Sequence, residues 1–208
     1  MAGIGVKLNR IYSKNTIASN LMGFGYSTVI TIAPMFLVIA AVIIMQRLLG
    51  FSSVGYAQRE LYSCTVLYIF VFALLTASPF NAVLSKYMSD VIYEEKYENI
   101  LPCYYVGLLL NTLLSAVLGI PFCIHEYVVG KVDILFVFSG YCGYMALMFV
   151  FYSMLYLSIC KVYKKISAFF LIGMGTTVLL SLLLTRVFRV SVIYSMLISL
   201  DVGFMLIA

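Results

Sequence analysis

Long apolar runs separated by short polar stretches dominate the pattern of this chain. Six of the runs reach the roughly 17–25 residues that a helix needs to cross a bilayer. They lie near 21–49, 61–84, 104–124, 134–159, 166–185 and 190–208. Segments such as FLVIAAVIIM and LLSLLL lack the alternation of barrel strands, and a helix satisfies its own backbone polar groups. The pattern therefore predicts an all-α integral membrane protein with six transmembrane helices.

The composition restricts the class of protein to which the chain can belong. Hydrophobic residues occupy 64% of the 208 positions, charged residues occupy 10%, and the mean hydropathy is +1.09. A soluble globular domain is about 45–50% apolar and about 25% charged, so a water-soluble core could not bury this much apolar surface. In a membrane protein, the net charge of +5 indicates contact with anionic lipid headgroups rather than with nucleic acid.

The distribution of lysine and arginine predicts how the chain lies in the membrane. Basic side chains collect in the short loops on the cytoplasmic side. With six spans, eight basic residues lie on the side of the N-terminus and five lie on the other side. The first group is Lys7, Arg10, Lys14, Lys86, Lys96, Lys161, Lys164 and Lys165, and the second is Arg47, Arg59, Lys131, Arg186 and Arg189. We therefore expect both termini on the cytoplasmic side.

Residues 1–20 form a basic segment ahead of the first span. In a helix, three apolar and three basic side chains of this segment would fall on separate stripes. They are Ile4, Leu8 and Ile11, and Lys7, Arg10 and Lys14. Such a helix would lie on the cytoplasmic membrane surface with its cations at the phosphates. A basic leader that only orients the first span would account for the same residues.

The connection at 85–100 interrupts the apolar chain with charge. Six charged residues fall within thirteen positions, while apolar residues from Leu84 to Ile92 continue the helical period. We therefore expect the second helix to extend beyond the membrane as an amphipathic segment with an acidic end. This segment is either a solvated loop or a docking surface for a cytosolic partner. The docking candidates are Tyr87, Asp90, Glu94, Glu95 and Glu98.

Two prolines fall inside predicted spans. Pro34 and Pro79 each remove a helical hydrogen bond and favour a kink, and the kink at Pro79 would leave Asn81 beside freed backbone groups. Broken helices line cavities or act as hinges in transporters, but proline is also common in ordinary membrane helices. The two prolines are therefore hinge candidates, and Asn81 is a candidate for a substrate or ion pathway.

Two more polar residues lie deep inside spans. Asp201 is about eleven residues into the sixth span, where a carboxylate costs ~2.5–3.5 kcal/mol on insertion scales. It either lines a substrate or ion pathway, or it is a neutral acid that hydrogen-bonds to another helix. Asn111 lies in the middle of the third span, one turn before Ser115, and the same two interpretations apply to it.

The sequence contains no arrangement of residues typical of catalysis. His125 is the single histidine, and the five cysteines are spread without a Cys-x-x-Cys pair, so neither a metal site nor another cofactor is expected. The chain also has no His-Glu-x-x-His motif and no nucleophile elbow. An intramembrane acyl- or glycosyltransferase is therefore disfavoured, and we expect a protein that is not an enzyme.

Two stretches of the sequence resemble a known family. The opening MAGIGVKLNRIYSK and the following GFGYSTVITIAPMFLVIAAVII are similar to the N-terminus of the Pel exopolysaccharide exporter family, PelG. The segment LSKYMSDVIYEEKYENILP is similar to that family's segment after its second helix, where a basic residue, Tyr, Asp and Tyr recur. Here these are Lys86, Tyr87, Asp90 and Tyr93. The resemblance covers roughly residues 1–105, whereas the later helices agree in number and placement only.

The resemblance implies a place among the multidrug, oligosaccharidyl-lipid and polysaccharide flippases. Full members carry two six-helix lobes around a central cleft, so residues 21–208 would form one lobe and the chain would be a truncated or partial transporter. It also implies export of a Pel-like, N-acetylhexosamine-rich polysaccharide for the biofilm matrix, through the bacterial cytoplasmic membrane. The implied partners are that polysaccharide, a cytosolic glycosyltransferase, other Pel-type membrane subunits and membrane lipids.

A membrane scaffold is the second interpretation. In that case the chain would be a six-helix subunit that anchors a polysaccharide synthase complex at the inner leaflet without moving sugar itself. The charged connection after the second span would serve either function.

The orientation can be tested by cysteine labelling. In a variant without its five native cysteines, we expect new cysteines within 126–133 to react from outside the cell. New cysteines within 94–98 should react only from inside, because the majority of basic residues lies on that side. The reverse pattern would contradict the orientation.

Overall fold

Six α-helices make up nearly all of the described chain. The computed structural model describes residues 17–95, 97–159 and 163–208, and these residues contain no strand. The helices are α1 (Ile17–Leu48), α2 (Tyr56–Tyr93), α3 (Ile100–Val128), α4 (Ile134–Ile159), α5 (Tyr163–Arg186) and α6 (Val192–Ile207). Short 3₁₀ turns at Phe51–Ser53 and Tyr97–Asn99 lie in two of the connections. The predicted all-α class with six helices is confirmed. The basic segment predicted within residues 1–20 falls largely outside the described residues.

Four of the helices are long and apolar enough to cross a membrane. Among the described residues, these stretches are Tyr56–Val91, Ile100–Val128, Ile134–Leu157 and Lys165–Arg186. The segment Ala33–Leu48 of α1 and the whole of α6 are apolar but shorter. Large apolar side chains such as Leu75, Val117 and Leu179 are exposed on the outside of the bundle, as expected where lipid is the solvent. The chain is therefore a multi-pass membrane protein.

The helices α4 and α6 occupy the centre of the bundle. α4 packs against α2, α3 and α6, whereas α6 packs against α4 and α5, and α1 lies mainly against α5. One apolar cluster joins five of the six helices through residues such as Met45, Ala73, Leu147, Met174 and Leu200. Burial of these side chains at the contacts between helices holds the bundle together through close van der Waals packing.

Small residues allow α5 and α6 to pack closely. A Cβ atom at Gly203 would lie 3.0 Å from the backbone oxygen of Gly173 and would also collide with the hydroxyl of Thr177. That hydroxyl donates a hydrogen bond to the Gly173 oxygen at 2.8 Å. Glycine and threonine therefore bring the two backbones together, which is a common packing device of membrane helices.

The bundle has two distinct ends. Leu49, Val132 and Ile193 belong to one apolar cluster, so the connections 49–55, 129–133 and 187–191 meet at what we call the α1–α2 end. The connection 94–99 lies at the opposite end, called the α2–α3 end. A second, smaller cluster lies there and joins α2, α3 and α4.

Helix α2 continues past its predicted span at the α2–α3 end. It ends at Tyr93 rather than near residue 84, as expected for an amphipathic extension. The apolar stripe of the extension packs against other helices of the same chain. Its residues Leu84, Met88 and Val91 are buried against Ile100 and Tyr152. This stripe is therefore not free to contact a partner, since α3 and α4 already cover it.

The predicted hinge prolines both lie inside continuous helices. Pro34 is buried within α1, and Pro79 is exposed within α2. A hinge at either position remains a prediction.

Candidate functional site

A buried carboxyl group on α6 is the centre of the candidate site. Asp201 is only 8% exposed, and its Oδ2 atom accepts a hydrogen bond of 2.6 Å from the Ser139 hydroxyl on α4. Its Oδ1 atom is buried and has no hydrogen-bond partner. A buried polar atom without a partner is costly, so its presence calls for an explanation in terms of function or of a bound molecule.

A glycine on α4 makes room for this carboxyl group. A Cβ atom at Gly143 would collide with the Asp201 Oδ1 atom and would lie 3.2 Å from the Ile69 Cδ1 atom of α2. Helices α2, α4 and α6 therefore meet at Gly143, and the carboxyl group fits only because that residue has no side chain. Asp201 thus lies at a junction of three helices.

Two more side chains complete the surroundings of Asp201. The hydroxyl of Tyr62 on α2 is buried, has no hydrogen-bond partner and lies within electrostatic range of Asp201. The thiol of Cys142 on α4 is also within that range. The Tyr62 ring packs edge-on against Phe51, with ring centroids 5.5 Å apart, and this contact holds it at the α1–α2 end.

A groove between α4 and α6 reaches the carboxyl group from the α1–α2 end. Its volume is about 590 Å³, and it runs from Val190 and Ser191 to Cys142 and Asp201. Most of the remaining lining is apolar, including Phe138. A mostly apolar groove with a few convergent polar groups at one end is typical of a binding site or of an access path.

Two contacts hold the start of α6 in place beside this groove. The hydroxyl of Tyr194 donates a hydrogen bond of 2.5 Å to the Asp133 carboxylate, and its ring packs edge-on against Phe136. On the other side of α6, the Ser195 hydroxyl donates to the Ser181 backbone oxygen of α5 at 2.8 Å. These contacts fix α6 against α4 and α5, and so they fix the position of Asp201.

The pathway candidates Asn111 and Asn81 lie on helices other than that of Asp201. Asn111 on α3 is fully buried, and both of its side-chain polar atoms lack a partner. The Oδ1 atom of Asn81 is also buried without a partner. Among the described residues, no hydrogen bond joins either amide to Asp201. The helix-to-helix hydrogen bond that would make Asn111 a packing residue is therefore not formed by its side chain.

The docking candidates share the α2–α3 end of the bundle. Tyr87 is 41% exposed, and the four acidic candidates are exposed as well. Tyr93 at the end of α2 is 89% exposed, although the sequence interpretation did not place it among the docking residues. Its position beside Glu94 and Glu95 could have indicated an aromatic and acidic surface. All of these side chains are therefore exposed at the same end of the bundle.

An aromatic cavity that was not predicted from the sequence lies between α2, α3 and α4. Its volume is about 140 Å³. The rings of Tyr68 and Phe72 both pack against Phe122 in its wall, with centroid separations of 5.8 and 5.2 Å, and Glu126 also contributes to the lining. The high aromatic content of the sequence did not predict this cavity, because aromatic side chains are common at membrane interfaces. Within the described part of the chain, no group of His, Cys, Asp and Glu side chains is arranged to hold a metal ion.

Comparison with known proteins extends the resemblance seen in the first half of the sequence. The family model of PelG, described as "Putative exopolysaccharide Exporter (EPS-E)", matches residues 1–208. No curated protein matches the chain. No solved structure matches it. The similarity to this family therefore extends along the whole chain.

The role of Asn111 can be tested by substitution. We expect Asn111→Leu to raise the free energy of unfolding of the detergent-solubilised protein by about 1 kcal/mol, because the substitution removes a buried amide without a partner. The matched control is Thr112→Val, since the Thr112 hydroxyl is satisfied by the Leu108 oxygen at 2.7 Å. A loss of stability greater than that of the control would show that the Asn111 amide has a bonding partner.

Proposed function

The chain belongs to the PelG exopolysaccharide exporter family, and we propose that it moves an exopolysaccharide across the bacterial cytoplasmic membrane. The observation that carries this proposal is the family match over residues 1–208. A multi-pass helical membrane protein also suits a transporter. A Pel-like polymer of the biofilm matrix is the proposed substrate, and the chain is proposed to be a transporter rather than an enzyme.

We further propose that the six helices form one lobe of a flippase-like transporter. In this arrangement the N-terminus and the α2–α3 end lie in the cytoplasm, as the distribution of basic residues suggests. The α4–α6 groove would then open towards the outside at the α1–α2 end. Asp201 is proposed to border the path of substrate or ion, because the groove ends on its carboxyl group.

A scaffold function has a separate observation in its favour. The α2–α3 end exposes Tyr87, Asp90, Tyr93, Glu95 and Glu98, which no other described residue covers. Exposed aromatic and acidic side chains suit recognition of a basic surface on a cytosolic protein. A glycosyltransferase of the same polysaccharide system is the proposed partner. Export and docking are compatible with each other, since the surface and the groove are at opposite ends.

Deletion of the gene for this chain distinguishes an exporter function from a scaffold function. If the chain exports the polymer, its deletion should abolish secreted polysaccharide while sugar polymer accumulates inside the cell. If it acts only as a scaffold, synthesis should fall as well, because the synthase is no longer held at the membrane. Polysaccharide is measured in the culture supernatant and in the cell fraction. Unchanged secretion would contradict both functions, and re-expression of the intact chain is the control.

The docking surface is tested by charge reversal. We expect Glu95→Lys combined with Glu98→Lys to weaken co-purification of the glycosyltransferase several-fold, because both carboxylates are exposed at the α2–α3 end. The loss should be greatest at low salt, where charges on a surface are least screened.

The matched control for this test lies at the opposite end of the same helix. Glu60→Lys also reverses an exposed charge of α2, but at the α1–α2 end, and it should leave co-purification unchanged. Equal co-purification of all variants at low and at moderate salt would identify the acidic connection as a solvated loop.

A further inference from the structure

The groove between α4 and α6 ends on an acid that forms no ion pair with a basic side chain in the described part of the chain. The Oδ2 atom of Asp201 accepts the Ser139 hydrogen bond, while its Oδ1 atom is buried without a partner. Within residues 17–95, 97–159 and 163–208, an ionised carboxylate in this position would have one hydrogen bond and no counter-ion. Because hydrocarbon does not solvate charge, the neutral acid is the form that these surroundings favour while the groove is dry.

The groups that face Asp201 from neighbouring helices do not change this conclusion. Helix α2 contributes the Tyr62 hydroxyl, and α4 contributes the Cys142 thiol, neither of which is a cation. Arg59 lies one turn before Tyr62 and forms no ion pair with Asp201, and the described cations of α5, Lys165 and Arg186, lie near its two ends. On α6 itself, Tyr194 is bonded to Asp133.

We propose that Asp201 is a proton-binding site that exchanges its proton with water entering the α4–α6 groove. Asp201 lines the groove, so its carboxyl group takes up the proton from water there, while Oδ2 accepts the hydroxyl hydrogen of Ser139. On release the proton passes to water in the groove, and the carboxylate keeps the Ser139 hydrogen bond, which lowers the cost of its charge. Ser139 therefore acts as a positioning residue.

A proton fits this site better than a metal cation does. Hard cations take several oxygen ligands at once. Among the described residues, the carboxyl group bonds to the Ser139 hydroxyl, and no group of His, Cys, Asp and Glu side chains is arranged around it to hold a metal ion. The link between this proton site and transport rests on the proposed function, in which the proton would be the ion coupled to export. Protonation of Asp201 itself does not require export.

A hydrophobic carbodiimide provides a direct test. Dicyclohexylcarbodiimide reacts with neutral carboxyl groups in apolar surroundings and leaves an adduct that mass spectrometry can assign to a residue. In membranes containing the full chain, we expect an adduct on Asp201 at about pH 6 that falls several-fold by about pH 9. Sodium ions should not protect the site, and Asp201→Asn should abolish the adduct.

Two serine variants show whether Ser139 acts through the carboxyl group. In Ser139→Ala, labelling should persist to higher pH, because the charged form loses its hydrogen-bond donor. Ser199→Ala is the matched control, since that hydroxyl donates to the Ser195 backbone oxygen of its own helix at 2.6 Å. Its labelling profile should equal that of the unmodified chain.

Several results would overturn the proposal. These are the absence of an adduct on Asp201, labelling that does not change with pH, and protection by sodium, which would indicate a metal-cation site. Failure of the proposed function is recognised separately. If Asp201 labels as expected but Asp201→Asn cells secrete polymer normally, the proton site stands and its link to export is rejected.

Discussion

The absence of hydrogen-bonding solvent in the bilayer is the constraint on which the rest of this structure depends. Backbone groups are satisfied within helices, and most hydroxyl side chains follow the same rule. Thr76, Thr177 and Ser199 each donate to the backbone oxygen four residues earlier in their own helix. These residues therefore need no partner on another helix, and they leave the packing of apolar and small side chains to decide how the helices associate.

Polar groups that do not follow this rule stand out. Asp201 and Asn111 cannot be satisfied by their own helix, but the structure treats them differently. Asp201 has a donor on α4, a glycine that makes room for it and a groove that reaches it. Asn111 has no hydrogen-bond partner for its side chain. A site that is supported from several helices is the stronger candidate for function, because each of those supports is a separate feature of the sequence.

The two candidate surfaces are separated along the bundle. Tyr62 and Asp90 belong to the same helix, and 28 positions of helix correspond to about 42 Å. The carboxyl site is therefore remote from the acidic surface at the α2–α3 end, and a partner could occupy that surface without blocking the groove. The apolar stripe of the α2 extension is covered by α3 and α4, so the exposed aromatic and charged side chains are the candidates for recognition.

The sequence by itself determined the helical class, the number of helices and the family, because apolar run length and motif similarity are properties of the chain read in order. It also indicated the extension of α2, through the helical period of residues 84–92. Only the tertiary structure decided which polar residues have partners. Ser139 lies 62 positions before Asp201, and no local pattern connects the two. Tyr62 and Gly143 likewise reach the site from separate helices, because packing of distant segments, rather than periodicity within one segment, brings them together.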